Sequence, residues 1–291
     1  MILIRELDGA ARMLAAAADD LLHVLDGHDP RAARDPLYIS RTLPAVKTFT
    51  DTYFRGEVRG LEHIPEAGPV LLVGNHSGGT LIADTFVFAQ AFYERFGADR
   101  PFHQLAHDLV FKVPGLRVLV ERWGTIPASP ENMRWALGRD AALLVYPGGD
   151  HETYRPSWES SQIDLAGRTG FVKLALELGV ELVPVVAIGG QETALFLGQG
   201  RRLASALQLD RLLRLKVLPA QIGPPLGFTV LDLPARIPLP AKITVRVLPP
   251  IDLHERLGRD PDPDEAYDLV SGTMQDALTG LAEERSLPVL G

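Results

Sequence analysis

The chain has 291 residues, 46% of them apolar, and a formal net charge of −8. That suffices for one large α/β domain with appendages or for two small ones, and the acidic balance argues against a general nucleic-acid binder. Cysteine is absent, which excludes disulfide frameworks and thiolate metal or redox sites; no run of eighteen uncharged apolar residues marks a spanning helix.

Residues 1–8 carry early acids and no basic start, so no secretory signal is expected and a cytoplasmic place follows. Leu3, Leu7, Ala11, Leu14, Ala18, Leu21 and Leu25 recur at helical spacing, which predicts an amphipathic helix over 2–27. Residues 30–41 read as a polar link and 42–55 as a second helix with an aromatic face. Residues 56–63 alternate like an edge strand. Val70, Leu71, Leu72 and Val73 read as a buried strand, closed by a Gly-Asn-His-Ser-Gly-Gly turn, with a helix over 80–96. A strand at 102–106 follows, then a hydrophobic helix after a break at Pro114 and Gly115, and a strand at 124–128. A helix starting at Pro130 has Ser129 as its expected N-cap. A buried strand at 141–146, a helix at 169–178 closed by Gly179, and a third buried strand at 182–188 continue the pattern. A late strand at 243–248 and a C-terminal helix over 263–286 complete it. Strands alternating with helices predict an α/β fold with a mostly parallel central sheet and helices on both faces. The expected divisions are N-terminal helices at 1–55, the α/β domain at 56–255 and the C-terminal helix at 256–291.

The stretch 191–250 holds eight basic residues against three acids, a net of +5, so the rest of the chain sums to −13. Within it, 201–218 interleaves Arg with Leu at helical spacing. A basic, Leu-rich segment over 191–242 is expected to face an anionic membrane surface, making the protein peripheral on its inner face.

Three strand ends carry the polar residues: Asn75 and His76; Pro147 through Glu152; and Gly189 through Glu192. In a parallel sheet these ends share one crevice, where ligands collect. His76 is the candidate general base, with Asp84, eight residues on, its candidate orienter. Glu152 is a second candidate carboxylate. Ser77, Gly78, Gly79, Gly148, Gly149 and His151 are expected to line the substrate, with Asn75. Amides near Gly78–Gly79 or Gly148–Gly149 are expected to hold a developing oxyanion. Arg122 is a candidate anchor for phosphate or coenzyme A. His103, His107, His151 and Asp108 match no metal-ligand spacing, so no metal is expected, and no cofactor.

These motifs are similar to the four blocks of the glycerolipid (lysophospholipid) acyltransferase superfamily, in the family's order. Asn75-His76 before an Asp resembles its Asn-His-x4-Asp block. Pro114 to Arg117 with Arg122 to Pro127 resembles the second block. Val145-Tyr146-Pro147-Gly148-Gly149 resembles the third, and Val183-Pro184-Val185-Val186 the fourth. The third block reads Pro-Gly-Gly-x-x-Glu, as in the diacylglycerol acyltransferase branch. The family's Asp position holds Leu81 here. Asp84 lies about 4.5 Å further along a continuous helix, so it reaches His76 only if the Gly78–Gly79 turn loops out. The resemblance implies acyl transfer from acyl-CoA or acyl-carrier protein to a glycerolipid or lysophospholipid hydroxyl. Without Cys or a Gly-x-Ser-x-Gly elbow, no acyl-enzyme is expected. A hydrolase using the same His and a non-catalytic lipid-binding protein are the rival classes. Oligomeric state is not legible.

Overall fold

The computed structural model describes residues 29–79, 82–108, 110–112, 115–208, 217–230, 232, 236–287 and 289. The helix expected at 2–27, and much of the Arg-Leu stretch, lie outside them.

Helix α1 (Pro36–Tyr53) begins earlier than expected, because Asp35 accepts the amides of Leu37 and Tyr38 and Pro36 sits at the first helical position. An edge strand β1 (Glu57–Arg59) precedes β2 (Val70–Gly74). Then come α2 (Ala83–Phe96), β3 (Phe102–Ala106), α3 (Leu116–Arg122), β4 (Thr125–Pro127) and α4 (Pro130–Leu137). Ser129 caps α4 as expected, its Oγ accepting the Asn132 amide at 3.1 Å. Strand β5 (Ala142–Val145), the short helix α5 (Gly149–Thr153), α6 (Gly170–Leu178) and β6 (Leu182–Ile188) follow. Gly179 ends α6 in the left-handed conformation.

The next stretch, where the sequence reading expects a basic, Leu-rich helix within 201–218 and names no strand, holds a helix and three strands among its described residues. It forms β7 (Leu195–Gly198), α7 (Arg201–Ala206), β8 (Ala220–Gly223) and β9 (Gly227–Thr229). Strand β10 (Thr244–Val247), α8 (Leu253–Leu257) and α9 (Pro263–Glu283) close the fold.

The main sheet has the order β1-β10-β6-β2-β5-β3-β4. β6, β2, β5, β3 and β4 run parallel; β10 is antiparallel to β6, and β1 runs parallel to β10. β2, β5 and β6 are uninterrupted apolar runs because both sheet faces are covered. Leu71, Val73, Leu143 and Val145 pack with Leu137, Phe171, Leu174, Val270 and Leu278 on one side. Val70, Leu72, Leu144 and Val183 pack with Ile39, Val87, Phe88 and Phe92 on the other. The architecture is α/β, with helices on both faces of a mostly parallel sheet. A separate antiparallel sheet, β7-β8-β9, lies beside it.

Candidate active site

β6, β2 and β5 are adjacent and point the same way, so their carboxyl ends do form one site. Asn75 extends β2 by one pairing made with its side chain. Its Nδ2 donates to the Ala187 carbonyl at 2.9 Å and its Oδ1 accepts the Ala187 amide at 2.7 Å. The turn is thereby tied to β6, and Asn75 is spent on anchoring.

His76 follows. Its ring stacks on Tyr146 with centroids 4.3 Å apart and planes inclined by 22°. A Cβ on Gly74 would stand 2.5 Å from the Tyr146 ring, so Gly74 makes room for this stack. Tyr146 is fixed in turn by the Thr85 hydroxyl, which donates to its OH at 2.7 Å. The His76 residue is only partly shielded overall, but Nδ1 is enclosed and has no hydrogen-bond partner among the described residues. Burial, helped by the positive Arg155, lowers the imidazole pKa to about 3 and keeps the ring neutral.

Neither expected carboxylate bonds the ring. The Gly78–Gly79 turn does loop out, with φ of +90° and +73°, and this carries Asp84 back toward the strand end. There Asp84 Oδ2 accepts the Ser77 hydroxyl at 2.9 Å and Oδ1 accepts the Thr85 amide at 2.8 Å. Ser77 itself is buried, its Oγ occupying the space a Cβ on Gly190 would fill. Burial raises Asp84 to about 6, partly offset by the Ser77 hydrogen bond.

Glu152 holds the backbone beneath the ring. Its Oε2 accepts the His76 amide at 2.7 Å and its Oε1 the Asp164 amide at 3.2 Å. Burial pushes its pKa up to about 7 against the pull of Arg155, whose Nη1 lies 3.8 Å from Oε1. Arg155 Nη1 also donates to the His76 carbonyl at 2.8 Å. The main chain of His76 is thus gripped from both sides by an acid and a base three residues apart on one short turn.

Of the four glycine amides expected to hold an oxyanion, three are engaged within the protein. The Gly78 amide donates to Gln191 Oε1 at 3.1 Å, the Gly79 amide to the Thr153 carbonyl at 3.4 Å, and the Gly149 amide to the Tyr146 carbonyl at 3.1 Å. The first two hold the turn after β2, and the third holds the turn after β5. The room left by Gly148 is taken by Glu152, whose Oε2 would lie 2.5 Å from a Cβ there; that left by Gly149 is taken by Arg168. His151 Nδ1 lies 2.9 Å from Asp164 Oδ2, close enough to pair when protonated but not aligned as a hydrogen bond. Arg122 is not at this crevice. It ends α3 just ahead of β4, at the amino edge of the parallel strands, with its guanidinium 4.9 Å from the Tyr38 ring. It borders a cleft of about 430 Å³ shared with Arg34 and Glu121.

Tyr146, Arg155 and Arg236 are contributors that sequence reasoning missed as site residues, while Gln191 lies in a strand end it assigned to the crevice without a role. Tyr146 had one local signal: an aromatic at the end of the strand beside a strand that ends in Gly. Arg236 had none, since its target, the Gly78 carbonyl at 2.7 Å, is 158 positions away.

Comparison with known proteins agrees with this arrangement. The family model for acyltransferases matches residues 55–188, which contain β2, β5, β6 and every residue around His76 named up to the end of β6. An uncharacterized protein of Mycobacterium tuberculosis is 29% identical over 282 residues, 94% of this chain and 76% of that one. The human DGAT1/2-independent enzyme synthesizing storage lipids is 31% identical over 129 residues, 44% of this chain and 38% of that one. Phytyl ester synthase 2 of Arabidopsis thaliana is 31% identical over 142 residues, 45% of this chain and 19% of that one. Among solved structures, the 1-acyl-sn-glycerophosphate acyltransferase PlsC of Thermotoga maritima has the same fold, with a TM-score of 0.54 at 16% identity, covering 93% of this chain and 90% of that one. Over residues 55–188 the chain is similar to acyltransferases, on a fold shared with PlsC. The family match, the fold and these relatives support the glycerolipid acyltransferase superfamily for this chain.

Proposed function

We propose that this protein moves a fatty acyl group from a thioester, acyl-CoA or acyl-carrier protein, to a hydroxyl of a glycerolipid or lysophospholipid, at the inner face of a membrane. The observation that carries the reading is a neutral imidazole at the carboxyl ends of β6, β2 and β5 with one ring nitrogen unpaired among the described residues. The names of the storage-lipid and phytyl-ester relatives support a hydroxyl acceptor.

In this reading His76 takes the proton of the acceptor hydroxyl as its oxygen attacks the thioester carbonyl. The C–S bond breaks, the ester forms, and the proton leaves with the thiolate. An imidazole held at about 3 is a weak base, so its basicity has to rise in the loaded enzyme. We assign that rise to Asp84, which would exchange its Ser77 hydrogen bond for one to the ring. Apo geometry of this kind commonly tightens only when substrate is bound.

The test is product mass spectrometry with acyl-CoA and a panel of acceptor lipids. His76→Ala should lower transfer by about 10²-fold or more while circular dichroism stays that of the parent. Transfer retained in that variant overturns the mechanism. Free fatty acid released equally with and without acceptor would make the protein a hydrolase instead.

A further inference from the structure

The small sheet has two unlike faces. Leu195, Ile222 and Phe228 are cross-strand partners in register, so their side chains share one face, and they are 44%, 42% and 59% exposed. Leu197 and Val230, two positions along from Leu195 and Phe228, are exposed as well. The residues that alternate with them, Phe196 and Gln221, are fully buried. The stretch 217–230 that supplies β8 and β9 carries no charged residue at all. A contiguous exposed apolar ladder marks a surface that meets another molecule.

The inner face of the same sheet holds the catalytic turn. The Phe196 ring lies against Gly79, where a Cβ would come within 3.0 Å of it. Gln221 donates to Asp232 at 2.8 Å; Asp232 in turn pairs with Arg236 at 2.9 Å; Arg236 donates to the carbonyls of Gly78 and Thr193. The outer ladder and the His76 turn are therefore separated by one sheet layer, about 10 Å.

Charge selects the occupant. Arg201 and Arg202 are both exposed on α7, which follows directly from β7, and they lie within the stretch whose net charge is +5 in a chain of −8. An apolar, uncharged ladder flanked by arginines fits acyl chains beneath anionic headgroups. Trp158, 66% exposed, stands at the same edge: its neighbour Ser157 accepts the Phe196 amide at 2.9 Å.

We propose that the outer face of β7–β9 docks on an anionic lipid bilayer and so presents the His76 turn, through Phe196 and Arg236, to lipids at that surface. This deepens the acyl-transfer reading and rests on it for the substrates. Binding is therefore measured without any acyl donor, on phosphatidylcholine vesicles with and without phosphatidylglycerol. Phe228→Asp and Ile222→Asp should each weaken vesicle binding about tenfold or more. Leu37→Asp, an equally exposed apolar site on α1, should leave it unchanged, as should His76→Ala. Arg201→Ala with Arg202→Ala should remove the preference for phosphatidylglycerol. Because the chain has no cysteine, Ile222→Cys and Leu37→Cys each carry a single polarity-sensitive fluorophore; only the first should shift to the blue on vesicles. Wild-type protein that ignores vesicles overturns the proposal. So do folded Asp variants that bind like the parent, and a self-associating wild type that Phe228→Asp renders monomeric with vesicle binding intact.

Discussion

The His76 ring owes its position to what it packs on as much as to what it bonds. Stacked on Tyr146 and without a partner at Nδ1 among the described residues, it is held by an aromatic face and by its own gripped backbone. Tyr146→Phe keeps that face and loses only the bond from Thr85, so turnover should change little. Tyr146→Ala opens a cavity beside the ring; it should cost about 2–4 kcal/mol in urea unfolding and lower kcat more than it raises KM. Burial also silences the ring's ordinary titration. With the imidazole held at about 3, its NMR signals should stay fixed as pH falls from neutrality to about 5. A midpoint near the usual histidine value would show the ring to be solvated.

The turn between β2 and α2 is an element built by its neighbours. Asn75 ties it to β6, Gln191 and Arg236 hold Gly78, and Glu152 with Arg155 grips His76. Asn75→Ala leaves the Ala187 amide and carbonyl without partners in a buried place, which should cost about 1–3 kcal/mol per orphaned group. Gly79→Ala suffers twice, from a φ of +73° and from a Cβ 2.2 Å from Asp232 Oδ2. That variant should lose stability and activity together, measured by thermal unfolding and by turnover at a temperature where it remains folded.

Across the whole molecule, buried ionisable groups set how stability follows pH. Glu152 and Asp84 are raised to about 7 and about 6. Folding therefore holds protons on them that the unfolded chain releases. Their stabilising contribution is complete below the ordinary carboxylate range and is lost as pH rises through those values. His76, lowered to about 3, acts oppositely: stability falls as pH drops below the ordinary histidine value. Glu152→Gln separates the two. It replaces one accepting oxygen with an NH2 facing an amide, so it destabilises at every pH. The loss should be largest below about pH 4.5, where the parent Glu152 is protonated without cost, and smaller above about 7, where the parent bears a buried charge. A loss in urea unfolding that grows with pH would mean that Glu152 is ionised throughout.

Periodicity alone determined the three buried runs that become β2, β5 and β6. The order of strand and helix determined the α/β sheet, and a Ser, a Gly and their spacing determined the ends of α4 and α6. These are local statements, decided by a residue and its nearest sequence neighbours, and so was the placing of His76 at a strand end. Tertiary structure alone decided what each polar group there would meet. It gave Asp84 to Ser77 and Glu152 to the His76 amide, filled the room left by Gly148 and Gly149 with protein, and put Arg122 at the far edge of the sheet. It also joined 195–198 to the uncharged stretch 217–230 in a sheet whose inner face lies against the His76 turn. Each of those outcomes depends on groups tens to more than a hundred residues apart competing for the same few donors and acceptors, a competition that no window of sequence contains.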